Sequence, residues 1–386
     1  MKIILDAFTF LSFIISEIIL MFSETQDKQE LLFIRSPLHY VNSEGILYEP
    51  TILTDHEFSA EKYASEIRNA KKDEDKKIKV LMQTLTSRTN RERQKIMEVY
   101  LSKFKKSLAD EIINVNPEQL KLLLKDLLTN LPILIADELF EALSSGDLKA
   151  LTRHLIDFWG NEFSYVEKSY KTNYKESFWK RAENKFGNSV RNLLECVVDT
   201  RRNEVKQDSP IKGRGGKPMV VYASTVKVFN QLKGIINQQN DDAGQQLSQL
   251  FCHTDPFQLE LVAKLYNETH NEHVKEYILR ETSGALRDVL TEIYDYSVDK
   301  PMYFASIFHD ELTKTKTNAL KLQRLLILRS EIDLHSIDKS YKRKYGVSLS
   351  NEIKQKFTDQ YGEALQSILM KREISNIFQH SVEIII

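Results

Sequence analysis

Residues 81–112 read LMQTLTSRTNRERQKIMEVYLSKFKKSLADEI, and apolar side chains recur along them at helical spacing. Leu81 and Leu85 fall on one face of a first helix, and a polar turn follows at residues 87–90. A second apolar series begins beyond that turn: Ile96, Val99, Tyr100, Phe104 and Leu108. The stretch therefore predicts two amphipathic helices joined by a short polar turn.

Related patterns return three times along the chain, at residues 163–178, 259–284 and 332–354. Tyr170 follows Tyr100 by 70 positions and Tyr341 follows Tyr266 by 75, whereas 96 positions separate Tyr170 from Tyr266. The longer interval contains the richest Gly/Pro cluster of the sequence, at residues 208–218. The spacing predicts two helical repeats, a linker and two further repeats.

Composition agrees with a helical protein. Of 386 residues only 12 are Gly and 8 are Pro, fewer turn formers than a chain rich in strands needs. The formal net charge of -1 gives no global electrostatic case for nucleic acid binding. Two cysteines exclude a disulfide-dense scaffold and a Cys-rich zinc module, and they fit a reducing compartment. Because Cys196 and Cys252 lie in apolar helical runs, the sequence predicts buried thiols without redox chemistry.

The N-terminal residues 1–23 are apolar but are interrupted by Asp6 and Glu17. The uncharged run from Ala7 to Ser16 is too short to span a bilayer, and a carboxylate in lipid is costly. Three interpretations stay open: an apolar N-terminal helix or non-native extension, a secretory signal peptide, and a membrane anchor.

Several stretches resemble the annexin family. Residues 280–296 (RETSGALRDVLTEIYDY), 300–312 (KPMYFASIFHDEL) and 328–354 (LRSEIDLHSIDKSYKRKYGVSLSNEIK) are similar to the third and fourth annexin repeats. The stretch at 81–112 resembles the first repeat. The second repeat departs from the pattern, with Asp157-Phe158-Trp159 where the family has a Ser-Arg pair. The resemblance covers roughly residues 58–374 and implies an all-α fold, in which four five-helix repeats form a curved disc.

Spacing and resemblance together divide the chain into seven segments. They are an N-terminal extension (1–57), repeat one (58–129), repeat two (130–203), a linker (204–220), repeat three (221–298), repeat four (299–374) and a C-terminal tail (375–386).

The resemblance also implies a type of calcium site. An annexin repeat binds the ion with a Gly-x-Gly-Thr loop after its first helix and with an acidic residue about forty positions further on. Calcium takes six to eight oxygen ligands, and backbone carbonyls converge on it only where the chain turns tightly. Phospholipid phosphates then fill the open positions of the bound ion.

No repeat of this sequence keeps both parts of such a site. Repeat one has Asp73-Glu74-Asp75 at the loop and Lys121 at the acidic position, and repeat three has residues 238–241 and Arg287. Repeat two has residues 143–147 with Lys185 or Arg191 opposite, and repeat four has Lys314-Thr315-Lys316 with Lys356 or Gln360 opposite. Because cations stand where carboxylates belong, calcium binding is expected to be weak or absent. The remaining weak candidates for calcium are Asp73, Glu74 and Asp75, and the alternative is a solvated charge run.

The lysine and arginine residues at these positions suggest another way to bind a membrane. If the family geometry applies, five of them share one face: Lys121, Arg191, Arg287, Lys314 and Lys316. Such groups contact lipid phosphates directly, each contributing about 1 kcal/mol near an anionic surface. The alternative is that they are ordinary surface charges on a protein without membrane contact.

The sequence contains no nucleophile motif, Ser/His/Asp set or paired catalytic carboxylates, so an enzyme is not expected. The leading hypothesis is an annexin-like peripheral protein that binds anionic phospholipid membranes from the cytoplasm. By resemblance it is calcium-dependent, but its degenerate loops favour weak or calcium-independent binding. The alternatives are a structural protein associated with cytoskeletal filaments, similar to the giardin-like annexins of protists, and a secreted effector if residues 1–23 are a signal peptide.

Overall fold

The computed structural model describes residues 42, 46–55, 57–159, 161–203, 211–212, 218–219, 222–238, 242–270 and 273–371. Between residues 200 and 224 only the backbone of the helical and strand residues is described. The predicted apolar segment 1–23 and the predicted tail 375–386 lie outside the described residues, and the hypotheses about them stay predictions.

The described residues between 60 and 203 are largely helical. The α-helices here are α1 (Ala60–Ala70), α2 (Glu74–Leu85), α3 (Asn90–Phe104), α4 (Glu118–Leu128), α5 (Leu131–Ser145), α6 (Leu148–Ile156), α7 (Glu162–Tyr174), α8 (Phe178–Phe186) and α9 (Asn188–Asn203). A short 3-10 helix, Leu108–Ile112, lies between α3 and α4.

The described residues from 222 to 371 are again largely helical. Ten α-helices follow: α10 (Tyr222–Gln238), α11 (Ala243–Cys252), α12 (Pro256–His270), α13 (Val274–Glu281), α14 (Gly284–Val298), α15 (Lys300–Thr313), α16 (Ala319–Ser330), α17 (Leu334–Tyr345), α18 (Leu349–Lys356) and α19 (Gln360–Leu369). Between the two helical series, strands β1 (Ile211–Lys212) and β2 (Pro218–Met219) pair antiparallel within the predicted linker. With nineteen α-helices in its described residues, the chain confirms the predicted all-α fold.

The polar turn predicted at residues 87–90 separates α2 from α3. Thr89 caps α3, since its side chain accepts a hydrogen bond from the Glu92 amide while the Thr89 amide donates to the Glu92 carboxylate at 2.8 Å. This reciprocal pair satisfies two amides that the first helical turn leaves without a partner. The helix therefore begins where the sequence places a Thr three residues before a Glu.

The four tyrosines that mark the sequence period lie in the core. Tyr100, Tyr170, Tyr266 and Tyr341 are each at most 2% exposed, and they lie on α3, α7, α12 and α17. The Tyr100 and Tyr341 hydroxyls both donate to a glutamate eleven residues further on, Glu111 and Glu352 respectively. The sequence recurrence therefore reflects burial that all four tyrosines share, and the first and fourth also share the contact with a glutamate. The repeat boundaries themselves stay predictions.

Part of the predicted N-terminal extension packs against α16 and α17. The amides of Thr51 and Ile52 donate to the Ser330 carbonyl at 2.9 and 3.0 Å. The Glu49 amide donates to the Ser336 hydroxyl at 2.8 Å. Residues 49–52 therefore bridge the junction between α16 and α17, a contact that nothing in the extension's composition indicates.

A buried ionic network joins distant helices around Arg329 of α16. Its guanidinium donates to Asp157 at 2.7 Å, to Asp333 at 2.8 Å, and faces the Phe304 ring at 4.1 Å. Burial lowers the pKa of Arg329, but the carboxylates of Asp157 and Asp333 outweigh it and raise the pKa well above its usual value. Asp157, which departs from the family's Ser-Arg pattern, thus forms an ion pair with a buried arginine.

The prediction of buried thiols is wrong. Cys196 of α9 and Cys252, the last residue of α11, form a disulfide whose Cα atoms lie 5.6 Å apart. They are 56 residues apart in sequence, and each sits in an apolar helical run that reads as core. Only the packing of α9 against α11 brings the two sulfur atoms together.

Candidate functional site

Four connections each follow the first helix of a predicted repeat, where the resemblance places calcium loops. They are the first connection (71–73), the second (146–147), the third (239–242) and the fourth (314–318). Residues 239–241 of the third connection lie outside the described residues.

A lysine ammonium contacts two backbone carbonyls at the point where α15 leads into the fourth connection. Nζ of Lys356, the last residue of α18, donates to the Lys314 carbonyl at 2.8 Å and to the Leu312 carbonyl at 3.0 Å. Two carbonyls that converge on one point offer two of the oxygen ligands that a cation needs. Of the two residues that the sequence placed opposite this loop, Lys356 and Gln360, it is Lys356 that reaches it. Its ammonium donates hydrogen bonds to the carbonyl oxygens that a metal ion would need as ligands.

Glu311 fixes both ends of the fourth connection. Its carboxylate, only 4% exposed, accepts a hydrogen bond from the Asn318 amide at 2.7 Å and pairs with the Lys314 ammonium at 2.6 Å. These two bonds use both carboxylate oxygens of Glu311, so this carboxylate already has partners other than a metal ion. The contacts of Glu311 with Lys314 and Asn318 hold the two ends of the loop together.

Calcium does not fit this arrangement. A divalent ion about 4 Å from the Lys356 ammonium would be repelled by about 2 kcal/mol even at the dielectric constant of water. The ion would also lack the bidentate carboxylate that completes such a site. The donors present suit an ammonium group better than they suit calcium.

The second connection also receives a lysine from the opposite position. Gly146 has a φ of +75°, and a Cβ at this position would lie 3.0 Å from Cε and 3.4 Å from Nζ of Lys185. The glycine thus provides both the left-handed turn and the space for this side chain. Asp147 caps α6 through the Ala150 amide at 2.9 Å and pairs with Lys321 of α16 at 3.3 Å. Lys185, one of two residues that the sequence proposed here, therefore meets the loop.

The three carboxylates of the first connection take the positions of a helix start. Asp73 caps α2 by accepting from the Lys76 amide at 3.0 Å, and Glu74 pairs with the mostly buried Lys77 at 2.8 Å. Asp75 is exposed in the first turn of the same helix. Acidic side chains at a helix N-terminus stabilise the helix through its dipole. These contacts account for the acidic run without a metal ion.

A different carboxylate, Glu111, meets the first connection, and sequence reasoning missed it. Glu111 is 4% exposed and accepts hydrogen bonds from the Tyr100 hydroxyl at 2.8 Å and the Lys71 ammonium at 3.1 Å, with Arg68 at 3.9 Å. Burial raises the pKa of Glu111, but the bonds from Tyr100 and Lys71 outweigh it and hold the pKa below its usual value. Its eleven-residue spacing from Tyr100, shared with Tyr341 and Glu352, was the available signal.

Comparison with known proteins identifies relatives of this chain. A sequence profile of the family described as "Annexin" matches residues 60–114 and 303–368. Annexin B22 of Schistosoma mansoni is 26% identical over 344 residues, which are 86% of this chain and 94% of that protein. These matches support membership of the annexin family.

Solved structures extend the likeness to the whole annexin fold. The crystal structure of calcium-bound annexin (Sm)1 superposes with a TM-score of 0.74 at 25% identity, covering 87% of this chain and 97% of that one. Calcium-bound α-1 giardin reaches a TM-score of 0.63 at 15% identity, covering 82% and 100%, a likeness of fold alone. For the family as a whole, these relatives support an annexin-like function, the binding of calcium and phospholipid.

Four of the five cations predicted to contact lipid phosphate already have partners in this structure. Lys121 pairs with Glu118 on its own helix, and Lys314 pairs with Glu311. Arg191 pairs with Glu195 at 2.8 Å, and the Arg287 guanidinium donates to the Thr282 carbonyl at 2.6 Å. Lys316, in the fourth connection, is exposed to solvent. Each partner lies within the same helix or at its end, and these contacts do not bring the five residues together.

Within the described residues, no helix combines the length and the apolar character that crossing a membrane requires.

Removing the charge of Glu111 should flatten the acid dependence of stability. Because its folded pKa is lowered below the usual 4.5, the ionised carboxylate stabilises the fold above that pH. This stability is lost as the pH falls through the lowered folded value. We expect Glu111→Gln to cost about 1.5–3 kcal/mol near neutral pH and less in acid. Urea unfolding of both proteins between about pH 6 and pH 3 measures the difference, and parallel curves would contradict the assignment.

Proposed function

We propose that this chain is a peripheral protein of anionic phospholipid membranes that binds headgroups through lysine ammonium groups, without a bridging calcium ion. The observation that carries the proposal is the Lys356 ammonium on the Leu312 and Lys314 carbonyls. An internal cation supplies the positive charge that calcium supplies in the family's sites. The loop keeps its shape without metal and can meet a phosphate at any calcium concentration.

The charge at the fourth connection supports this proposal. Lys314 is half exposed despite its pairing with Glu311, and Lys316 and Lys356 are exposed beside it. Of these three cations, Lys314 pairs with the buried Glu311 carboxylate, whereas Lys356 contacts backbone carbonyls. A local excess of positive charge attracts an anionic surface, and salt screens the attraction.

Vesicle co-sedimentation tests the proposal. The protein is mixed with vesicles of phosphatidylserine and phosphatidylcholine, or of phosphatidylcholine alone, in chelator and in calcium. We expect pelleting with the anionic vesicles in chelator at about 50 mM salt, lost at about 500 mM, because the Debye length shortens. Added calcium should change little. Pelleting that requires calcium, or no pelleting under any condition, would contradict the proposal.

A single substitution locates the contact. Lys316→Ala should weaken binding to the anionic vesicles about fivefold, since each basic group near such a surface contributes about 1 kcal/mol. Lys171→Ala is the matched control, because Lys171 is an exposed lysine of α7 outside the four connections. Equal effects of the two substitutions would show that binding follows net charge alone.

A structural protein without lipid binding is the second candidate. It is favoured by the partners of Lys121, Arg191, Arg287 and Lys314, which leave fewer cations for phosphate. Co-sedimentation with cytoskeletal filaments, unchanged by lipid, would favour this function over the first.

The secreted effector is the third candidate, and the Cys196–Cys252 disulfide supports it, since disulfides persist in oxidising compartments. N-terminal sequencing of the mature protein tests it. Loss of the first twenty or so residues is the result expected of a signal peptide.

A further inference from the structure

A histidine lies beside the disulfide that joins α9 to α11. Cys252 ends α11 and His253 is the next residue, at the helix C-cap. A sulfur or ring nitrogen atom from each of Cys196, Cys252 and His253 lies within 4.8 Å of the others. Cys252 is buried, Cys196 is half-buried and His253 is exposed, so the cluster opens to solvent on one side.

We propose that Cys196, Cys252 and His253 form a zinc-binding site when the disulfide is reduced. Two thiol groups of a reductant, from two glutathione molecules or from one thioredoxin-type dithiol, supply two electrons and two protons; they convert the S–S bond into two thiols and are themselves oxidised to a disulfide. Zinc then binds both sulfur atoms as thiolates, and the two protons are released to water. The imidazole of His253 binds in its neutral form as the third ligand.

The spacing of the three ligand atoms suits a zinc ion. Zn–S bonds of about 2.3 Å in a tetrahedron place two thiolates about 3.8 Å apart, and a Zn–N bond of about 2.0 Å brings the imidazole closer still. The three ligand atoms already lie within 4.8 Å of one another, and a change of rotamer at the exposed His253 brings its ring nitrogen to the metal-binding distance. The two helix backbones can stay in place, because their Cα atoms are already 5.6 Å apart.

The donor set favours zinc over calcium. Two thiolates and an imidazole are soft or borderline ligands, whereas calcium requires oxygen. The solvent-exposed side of the cluster leaves the fourth position of the tetrahedron to water. The same three residues would therefore hold α9 to α11 covalently when oxidised and through a metal ion when reduced.

Zinc binding in two redox states tests this proposal. The full-length protein, reduced by a phosphine and freed of metal, is titrated with Zn²⁺ against a chromophoric chelator. Co²⁺ titration reports thiolate ligation by its charge-transfer absorption. We expect one equivalent of Zn²⁺ bound by the reduced protein and none at this cluster in the oxidised protein. Binding that is equal in the two states, or absent from the reduced one, would overturn the proposal.

Two substitutions identify the ligands. His253→Gln keeps both cysteines and changes an exposed residue, so the fold and the disulfide should persist while zinc affinity falls at least tenfold. Cys196→Ser should remove the cobalt thiolate absorption almost completely and weaken zinc binding at least a hundredfold. Unchanged binding in Cys196→Ser would assign the metal to histidines elsewhere. Unchanged binding in His253→Gln would exclude the three-ligand site.

Discussion

Lys356→Glu is expected to create a calcium site in the fourth connection. The substitution replaces an ammonium by a carboxylate beside the Leu312 and Lys314 carbonyls. Next to a divalent ion about 4 Å away, this charge reversal is worth about 4 kcal/mol at the dielectric constant of water, roughly a thousandfold in affinity. We expect a dissociation constant of about 0.1–1 mM, the range of weak extracellular calcium modules. Isothermal titration calorimetry with calcium measures it directly.

Lys354→Glu is the matched control for that experiment. Lys354 is exposed on the same helix, α18, and its substitution changes the net charge by the same amount. It is Lys356, two residues after Lys354, that contacts the Leu312 and Lys314 carbonyls. If Lys356→Glu binds calcium no better than Lys354→Glu, the two carbonyls do not form a cation site.

Arg329→Met is expected to cost about 3–5 kcal/mol of unfolding free energy. The arginine side chain is 2% exposed and pairs with Asp157 at 2.7 Å and with Asp333, which is 0% exposed. Methionine fills much of the same volume but leaves two buried carboxylates without their cation. Urea denaturation followed by circular dichroism measures the loss, and vesicle binding at a temperature where the variant stays folded should be retained.

An exposed arginine provides the comparison. Arg343 pairs with Asp299 at 3.5 Å and is 67% exposed, so Arg343→Met should cost less than about 1 kcal/mol. The two substitutions remove the same kind of ion pair and differ in burial. Similar small losses in both variants would show that the Arg329 network does not hold the helices together.

Sequence periodicity predicted what depends on neighbouring residues. The turn at 87–90, the two helices on either side of it and the recurring core tyrosines all follow from apolar spacing of three to four residues and from a cap. The resemblance to annexins rested on local motifs of the same kind. These features are encoded within one helix or one turn, so a single sequence is sufficient to find them.

The contacts on which the proposed function depends join residues far apart along the chain. Lys356 meets carbonyls 42 and 44 residues earlier, and Glu111 meets Lys71 across 40 residues. Counting positions gave a pair of alternatives, Lys356 or Gln360, because the lengths of the intervening loops were unknown. In repeat one the count reached Lys121, whereas the carboxylate at the loop is Glu111. The disulfide and the docking of residues 49–52 were missed for the same reason.

Calcium titration of the unaltered protein tests the central claim most directly. If lysine ammonium groups have replaced calcium in the loops of this protein, calorimetry should show no saturable calcium binding below about 1 mM. The anionic vesicles should pellet the same protein equally in calcium and in chelator. Saturable binding at lower concentrations, accompanied by calcium-dependent pelleting, would contradict the account.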